Sequence, residues 1–282
     1  MDGTTTGRVT ILVDNSVPGK SRVIGEHGFC AYVETPEGNI LFDTGRGNAL
    51  THNAALLKKS LQDICCIALS HAHGDHTEGL PKALAFHEQI DIYAHPDLTA
   101  KRFKPNKQGR SVYVGLPYYP AHLERLGGRL RFEAGPAALG KGIQLTGYVN
   151  RRTDFESSDM GGRYMEVNQK RVPDDIADDQ ALVIKTAKGL VIVAGCAHAG
   201  MINTIEHALA MTGEDRVHCF VGGTHLDFAG EEQVLKTIER LKRYRIRRLI
   251  TSHCTGYRVS ARLSVEFPET FEFSHVGKTI AF

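Results

Sequence analysis

Residues 70–76 read Ser-His-Ala-His-Gly-Asp-His, directly after the apolar run 64–69, Ile-Cys-Cys-Ile-Ala-Leu. His71 and His73 lie two apart, so in an extended or turning segment both rings project toward one side. Gly74 permits a sharp turn that returns Asp75 and His76 toward them. Imidazole and carboxylate are good ligands for zinc, iron or manganese, and a divalent ion holds together groups that would otherwise be costly to bury. The alternative is a polar turn that happens to be rich in histidine. Four candidate ligands within six residues of a strand end argue for a metal.

Three later apolar runs each deliver a histidine near their C-terminal ends. Run 190–194 leads into Gly195-Cys196-Ala197-His198, run 217–221 into Gly222-Gly223-Thr224-His225, and run 248–251 into Ser252-His253-Cys254. The spacing predicts strands at 8–13 and 29–35, the second turning through Pro36-Glu37-Gly38-Asn39 into 40–42 and Asp43-Thr44-Gly45. A helix follows over 48–59, then strand 64–69, a helix over 80–87 and a strand at 90–94. In the second half, 181–186 and 190–194 form a hairpin across Lys188-Gly189. Helix 201–211, strand 217–221, helix 231–243 and strand 248–251 come next. Hairpin then αβ units, twice over, predicts an α/β chain of two similar halves with helices outside. Region 96–145 is rich in Lys, Arg, Gly, Pro and Tyr and only briefly periodic, as at 121–126, so it reads as a cap or a mobile segment.

Composition narrows the function classes. With 282 residues, 34 basic and 32 acidic side chains and 41% hydrophobic residues, the chain reads as one globular unit over 1–282 with no global charge bias toward nucleic acid or anionic membranes. No apolar stretch approaches the ~20 residues of a membrane span, and no signal peptide is expected. Six scattered cysteines with no CxxC spacing predict reduced thiols and a cytoplasmic location.

The stretches 11–15 (ILVDN), 25–35 (GEHGFCAYVET), 40–45 (ILFDTG), 69–80 (LSHAHGDHTEGL), 194–209 (AGCAHAGMINTIEHAL), 222–226 (GGTHL) and 252–256 (SHCTG) together resemble the metallo-β-lactamase superfamily. Within it, GCAHAG with SHCTG resembles the dihydropteroate-synthase-like branch, typified by the synthase of 7,8-dihydropterin-6-ylmethyl-4-(β-D-ribofuranosyl)aminobenzene 5′-phosphate. The resemblance spans nearly the whole chain and is weakest over 96–145. It implies an αββα sandwich of two mixed sheets with helices outside, and a metal site at one edge where strand ends gather. His71 and His73 would take one metal position, joined by His198; Asp75, His76 and His253 would take the other. Two departures stand out: 146–150 (Thr-Gly-Tyr-Val-Asn) offers no imidazole where many superfamily hydrolases have one, and 195–198 offers no bridging carboxylate. Cys196 would ligate as a thiolate or pack as a small hydrophobe. One or two divalent ions are expected, zinc first, iron or manganese otherwise.

Asp43 reads as a turn residue or, following the resemblance, as the partner that orients a ligating histidine. His27 is either a loop histidine or an acid/base or phosphate donor at the pocket mouth, and His225 a candidate for proton transfer or substrate contact. Asp75 could serve as ligand and as base. Arg151 and Arg152, with Glu156, follow the region that approaches the metals and could bind phosphate or carboxylate through a guanidinium fork. Lys101, Arg102, Lys104, Lys107 and Arg110 read as an anion-attracting cap or a solvated loop; Tyr113, Tyr118 and Tyr119 as a stacking platform or the cap's small core. His207 and His218 are given no role. The expected function is a metal-dependent enzyme acting on a phosphorylated or diphosphorylated small molecule, a transferase by resemblance. The alternatives are a metal-dependent hydrolase of a phosphoester or other ester, and a non-catalytic metal-containing binding protein. Oligomeric state stays open, a homodimer included.

Overall fold

The structure, a computed structural model, describes residues 3–156 and 162–282. Two seven-stranded sheets lie face to face. The first runs Thr279–Ala281, Arg8–Val13, Cys30–Thr35, Gly38–Phe42, Ile64–Ala68, Ile90–Ala94, Gly128–Phe132. The second runs Phe271–Phe273, Arg248–Thr251, Val217–Gly222, Gly189–Ala194, Ala181–Thr186, Ile143–Leu145, Ala137–Gly140. Period-two alternation divides each strand between two cores. Val9, Ile11, Ala31, Val33, Ile40 and Phe42 meet Leu182, Ile184, Val191 and Val193 between the sheets. Leu12, Tyr32, Leu41 and Ile67 face the other way, onto Leu50, Ala54, Leu80 and Leu84 of the helices covering the first sheet. Met201, Ile205, Val234, Ile238, Val259 and Leu263 do the same for the second. In Glu231–Leu241 the buried Val234, Ile238 and Leu241 stand at helical spacing, which explains why this polar segment folds as an amphipathic helix. The result is the expected αββα sandwich.

Both sheets change from antiparallel to parallel halfway across. Gly38–Phe42, Ile64–Ala68, Ile90–Ala94 and Gly128–Phe132 are parallel, as are Gly189–Ala194, Val217–Gly222, Arg248–Thr251 and Phe271–Phe273. Parallel strands joined by helices send their C-terminal ends to one edge, where ligand sites in α/β sheets form. The loops that carry His71, His198, His225 and His253 leave from those ends.

Region 96–145 is divided rather than forming one insert. Lys101–Pro105 and Ser111–Tyr113 join Tyr164–Val167 and Lys170–Pro173 in a separate four-stranded antiparallel sheet. Gly128–Phe132 extends the first large sheet, and Ala137–Gly140 with Ile143–Leu145 extends the second. These strands are short, so they carry little of the apolar alternation that marks a strand in sequence. The predicted helix over 48–59 is shorter, Leu50–Leu56, because Lys58 adopts a left-handed φ of 56° just beyond it. Among the described residues no helix is long and apolar enough to cross a membrane.

Candidate metal centre

Three imidazoles meet nitrogen to nitrogen. His71 Nε2 lies 2.9 Å from His73 Nδ1 and 3.2 Å from His198 Nε2, and all three rings are buried. The His71 tautomer is set from behind. The Ser70 hydroxyl donates its single proton to Asp43 Oδ2 (2.7 Å), so His71 Nδ1, 2.9 Å from that hydroxyl oxygen, must donate to it. The His71 Nε2 lone pair is therefore bare and faces the other two rings. Bare nitrogens this close repel unless a proton or a cation lies between them. A four-coordinate zinc with Zn–N bonds of about 2.05 Å separates its nitrogens by about 3.3 Å. The spacing fits that cation.

A second group adjoins the first. His76 Nδ1 donates to Asp43 Oδ2 at 2.7 Å, leaving its Nε2 to face Cys196 Sγ at 3.2 Å. Asn15 Oδ1 accepts from the Gly28 amide and from His253 Nδ1 (2.9 Å), so His253 Nε2 is turned to Asp75 Oδ2 at 3.3 Å. His27 Nε2 approaches the same carboxylate oxygen at 3.1 Å. Donor atoms of His71, His76 and Cys196, and those of Cys196, His253 and Cys254, fall within 4.8 Å of one another.

The backbone is bent to allow this. Asp43 (φ 59°), Ala197 (50°), His225 (54°) and His253 (47°) all adopt left-handed conformations although none is glycine. Such strain persists only where surrounding structure enforces it. Residues 178–180 brace the loops that carry His71 and His198. Asp178 accepts from the Ala72 amide between the first two histidines (2.8 Å), Asp179 accepts from the Ala199 amide (2.9 Å), and Gln180 donates to the Ser70 and Leu69 carbonyls. Arg102, fully buried, bonds Asp174, Asp178 (2.6 Å) and the Asp97 carbonyl, tying the small sheet to the same point.

Burial pushes the His71, His73 and His198 rings well below the usual imidazole range, the neighbouring histidines adding to it for His71 and His198, so all three stay neutral at physiological pH, as ligands must. Burial would also lower His76, but Asp43 and Asp75 outweigh it and raise the ring to about 9. That position is built to hold positive charge. Burial alone would raise the Asp75 carboxyl; His76 and the hydrogen bonds from His253 and His27 hold it well below the carboxylate range. Burial drives the Cys196 thiol up and the His225 ring down to about 3.

The group opens on a cavity of about 390 Å³ lined by His73, Asp75, His198, His225, His253 and both thiols on its floor. Its rim carries His27, Arg46, Lys104, Tyr113, Arg163 and Phe228. His27 and His225, expected near a pocket, thus both face it. Arg151 and Arg152 are not among the described residues that line it. Arg151 donates to the His198 and Asp175 carbonyls, and the Arg152 amide, not its guanidinium, is engaged, by Asn203 Oδ1. Glu156 is buried against the amides of Ile202 and Asn203 at the start of Met201–Thr212. Arg102 is neither a solvated nor an anion-attracting side chain, because two carboxylates already neutralise it. Tyr113 belongs to the small sheet's aromatic core with Phe103 and also reaches the cavity; Tyr119 is 84% exposed and touches neither. Ser70, Asn15, Asp178, Arg163 and Phe228 were not foreseen. The run 174–179 reads as a solvated acidic loop; only Asn15, following an apolar strand as Asp43 does, carried a usable signal.

A sequence model of the metallo-beta-lactamase superfamily matches residues 23–193. The chain belongs to that superfamily and is an enzyme of its fold. Within it, the chain is 32% identical over 265 residues to the 7,8-dihydropterin-6-methyl-4-(beta-D-ribofuranosyl)-aminobenzene-5'-phosphate synthase of Methanocaldococcus jannaschii, covering 91% of this chain and 90% of that one. An uncharacterized protein of the same organism is 28% identical, over 96% of this chain and 99% of its own. Among solved structures, a metal-dependent hydrolase of the beta-lactamase superfamily superposes with a TM-score of 0.82 at 25% identity, covering 97% of this chain and 98% of that one.

Proposed function

We propose that this chain is a metal-dependent transferase that joins an aryl amine to a pterin methylene with loss of diphosphate. His71, His73 and His198 would hold one divalent ion; Asp75, His76 and His253, with Cys196 alongside, would hold the second. The observation that carries this reading is the meeting of three neutral imidazole nitrogens at 2.9–3.2 Å beneath a cation-rimmed cavity, in a chain 32% identical to the dihydropterin synthase. Zinc is the fitting ion, since nitrogen and sulfur donors at four-coordinate spacing favour it over the oxygen-seeking magnesium and manganese. When bound, such an ion neutralises the charge that develops on a departing diphosphate.

The rim does the rest. Lys104, Arg163 and Arg46, all lining the cavity, would bind the phosphate groups. Tyr113 and Phe228 both line the cavity and would stack on a planar heterocycle. The amine nitrogen bonds to the methylene carbon as the carbon–oxygen bond to diphosphate breaks, and the amine proton passes to a ring nitrogen of neutral His225. Asp75 stays ionised and holds His27 and His253 in place. Six free cysteine thiols suit a reducing cytoplasm.

The test is to incubate zinc-loaded protein with 6-hydroxymethyl-7,8-dihydropterin diphosphate and 4-(β-D-ribofuranosyl)aminobenzene 5′-phosphate, following diphosphate release and the coupled product by mass. Coupled product is expected. Hydrolysis of generic phosphodiesters without any coupled product would replace this reading with the hydrolase one, which the similarity to a metal-dependent hydrolase favours.

A further inference from the structure

The second donor group contains a further thiol, that of Cys254. Cys254 is 6% exposed, lines the cavity, and shares with Cys196 and His253 a volume in which all three donor atoms lie within 4.8 Å. Its sulfur accepts a hydrogen bond from the His225 amide at 3.2 Å. An amide N–H aimed at sulfur fixes where its lone pairs point, as an outer partner does for a metal ligand. Space has been cleared for it: a Cβ on Gly223 would fall 2.7 Å from the Cys254 sulfur. The left-handed φ of His253 lets two adjacent residues present donors to one place, as the left-handed Ala197 does for Cys196 and His198.

We infer that Cys254 and Cys196 together supply sulfur ligands to the second cation position, beside Asp75, His76 and His253. This rests on the two-position reading given under Proposed function. Chemically it makes that position thiophilic. Two thiolates also add anionic charge to that of Asp75, whose Oδ2 stands 3.3 Å from His253 Nε2, while Asp43 is spent on Ser70 and His76. In a four-coordinate zinc site with Zn–S bonds of about 2.3 Å, two sulfurs stand about 3.8 Å apart, within the spread of this group.

The experiment uses the full chain loaded with zinc and freed of excess. X-ray absorption at the zinc edge should show sulfur at about 2.3 Å, averaging one sulfur per ion when two are bound. Iodoacetamide should alkylate exposed Cys65 with or without metal, but Cys196 and Cys254 only after zinc is removed. Cys254→Ser should lose half the sulfur signal and weaken the second zinc by at least the ~10–100-fold that loss of an outer partner costs. The wild-type absorption and alkylation measurements stand whether or not that variant folds. Two zinc ions with a shell of nitrogen and oxygen only, or Cys254 alkylated equally in the loaded protein, would overturn the sulfur assignment and leave the two-position reading intact. Failure to retain any zinc would overturn both.

Discussion

Asp43 and His76 meet at 2.7 Å, Oδ2 to Nδ1, in a spot from which both are wholly excluded from water. The same oxygen takes the Ser70 proton, so one carboxylate fixes the ring orientation of two histidines from two different donor groups. Asp43→Asn should therefore weaken zinc at both positions, by about 10–100-fold each, because an NH2 in place of Oδ1 would face the Ser70 amide N–H, and the flipped amide would face Ser70 Oγ and His76 Nδ1. Competitive zinc titration checks this; unchanged affinity at either position would refute the shared role.

Gly195 sits where a side chain would collide with this arrangement. An added Cβ would lie 2.2 Å from Ser70 Oγ and 2.8 Å from Asp43 Oδ2. Gly195→Ala should cost about 1–3 kcal/mol of stability, as overpacking does, and should lower zinc occupancy as well. Equilibrium urea unfolding and metal analysis read the two effects separately. A variant with normal stability and full zinc would contradict the geometry.

Arg102 ties the small sheet to the first histidine loop through Asp178 and the Ala72 amide. Burial would lower its pKa, but Asp178 and Asp174 outweigh that and raise it, so it stays charged. Arg102→Leu strands two buried carboxylates, which should cost about 3–5 kcal/mol. Arg102→Lys should recover little, since one ammonium cannot replace a fork bonded to two carboxylates. The urea midpoint decides; a loss below ~1 kcal/mol for the Leu variant would show that the network relaxes without it.

Glu156 gives a pH signature away from the metals. Burial raises its carboxyl to about 7, even against the Ile202 and Asn203 amides that favour the charged form. A raised folded pKa means the folded state keeps a proton that the unfolded chain releases above about 4.5. The stabilisation is thus full below pH 4.5 and is lost as pH rises through 7. Wild-type stability minus that of Glu156→Gln should fall by about 3 kcal/mol between those limits, at 1.36 kcal/mol per unit. A flat difference would show that the helix amides keep Glu156 ionised throughout.

The rim makes a contrast among cations. Lys104→Ala and Arg163→Ala should each raise KM for a phosphorylated substrate about 10-fold, the worth of one charge-assisted bond, with kcat little changed. Arg152→Ala should leave both constants alone, since only its main chain is engaged. Steady-state kinetics on the coupling reaction tests this, and an effect of Arg152→Ala would return that residue to the substrate site.

Much of this was legible because periodicity and donor type are local. Apolar alternation marked the strands beside His71, His198, His225 and His253, and the histidines themselves stood just past the strand ends. Asp43 was recognisable for the same reason. The supporting shell was not legible. Asp178 and Asp179 sit in a run that reads as solvated acid, and only the fold brings the buried Arg102 guanidinium and the two ligand loops onto it. Arg151 and Arg152 misled because a pair of arginines near a predicted metal suggests phosphate, whereas the Arg151 fork is used up on two carbonyls. Lys104 and Arg163, at opposite ends of a long stretch of chain, reach the rim because Lys101–Pro105 and Tyr164–Val167 pair in the small sheet.

The central claim is that separate strand ends aim bare imidazole nitrogens at one cation, and a zinc-edge anomalous map from a zinc-soaked crystal tests it most directly. The account predicts a peak about 2.0–2.1 Å from His71 Nε2, His73 Nδ1 and His198 Nε2 together. Zinc bound elsewhere, with those three nitrogens in contact only with water or one another, would contradict it.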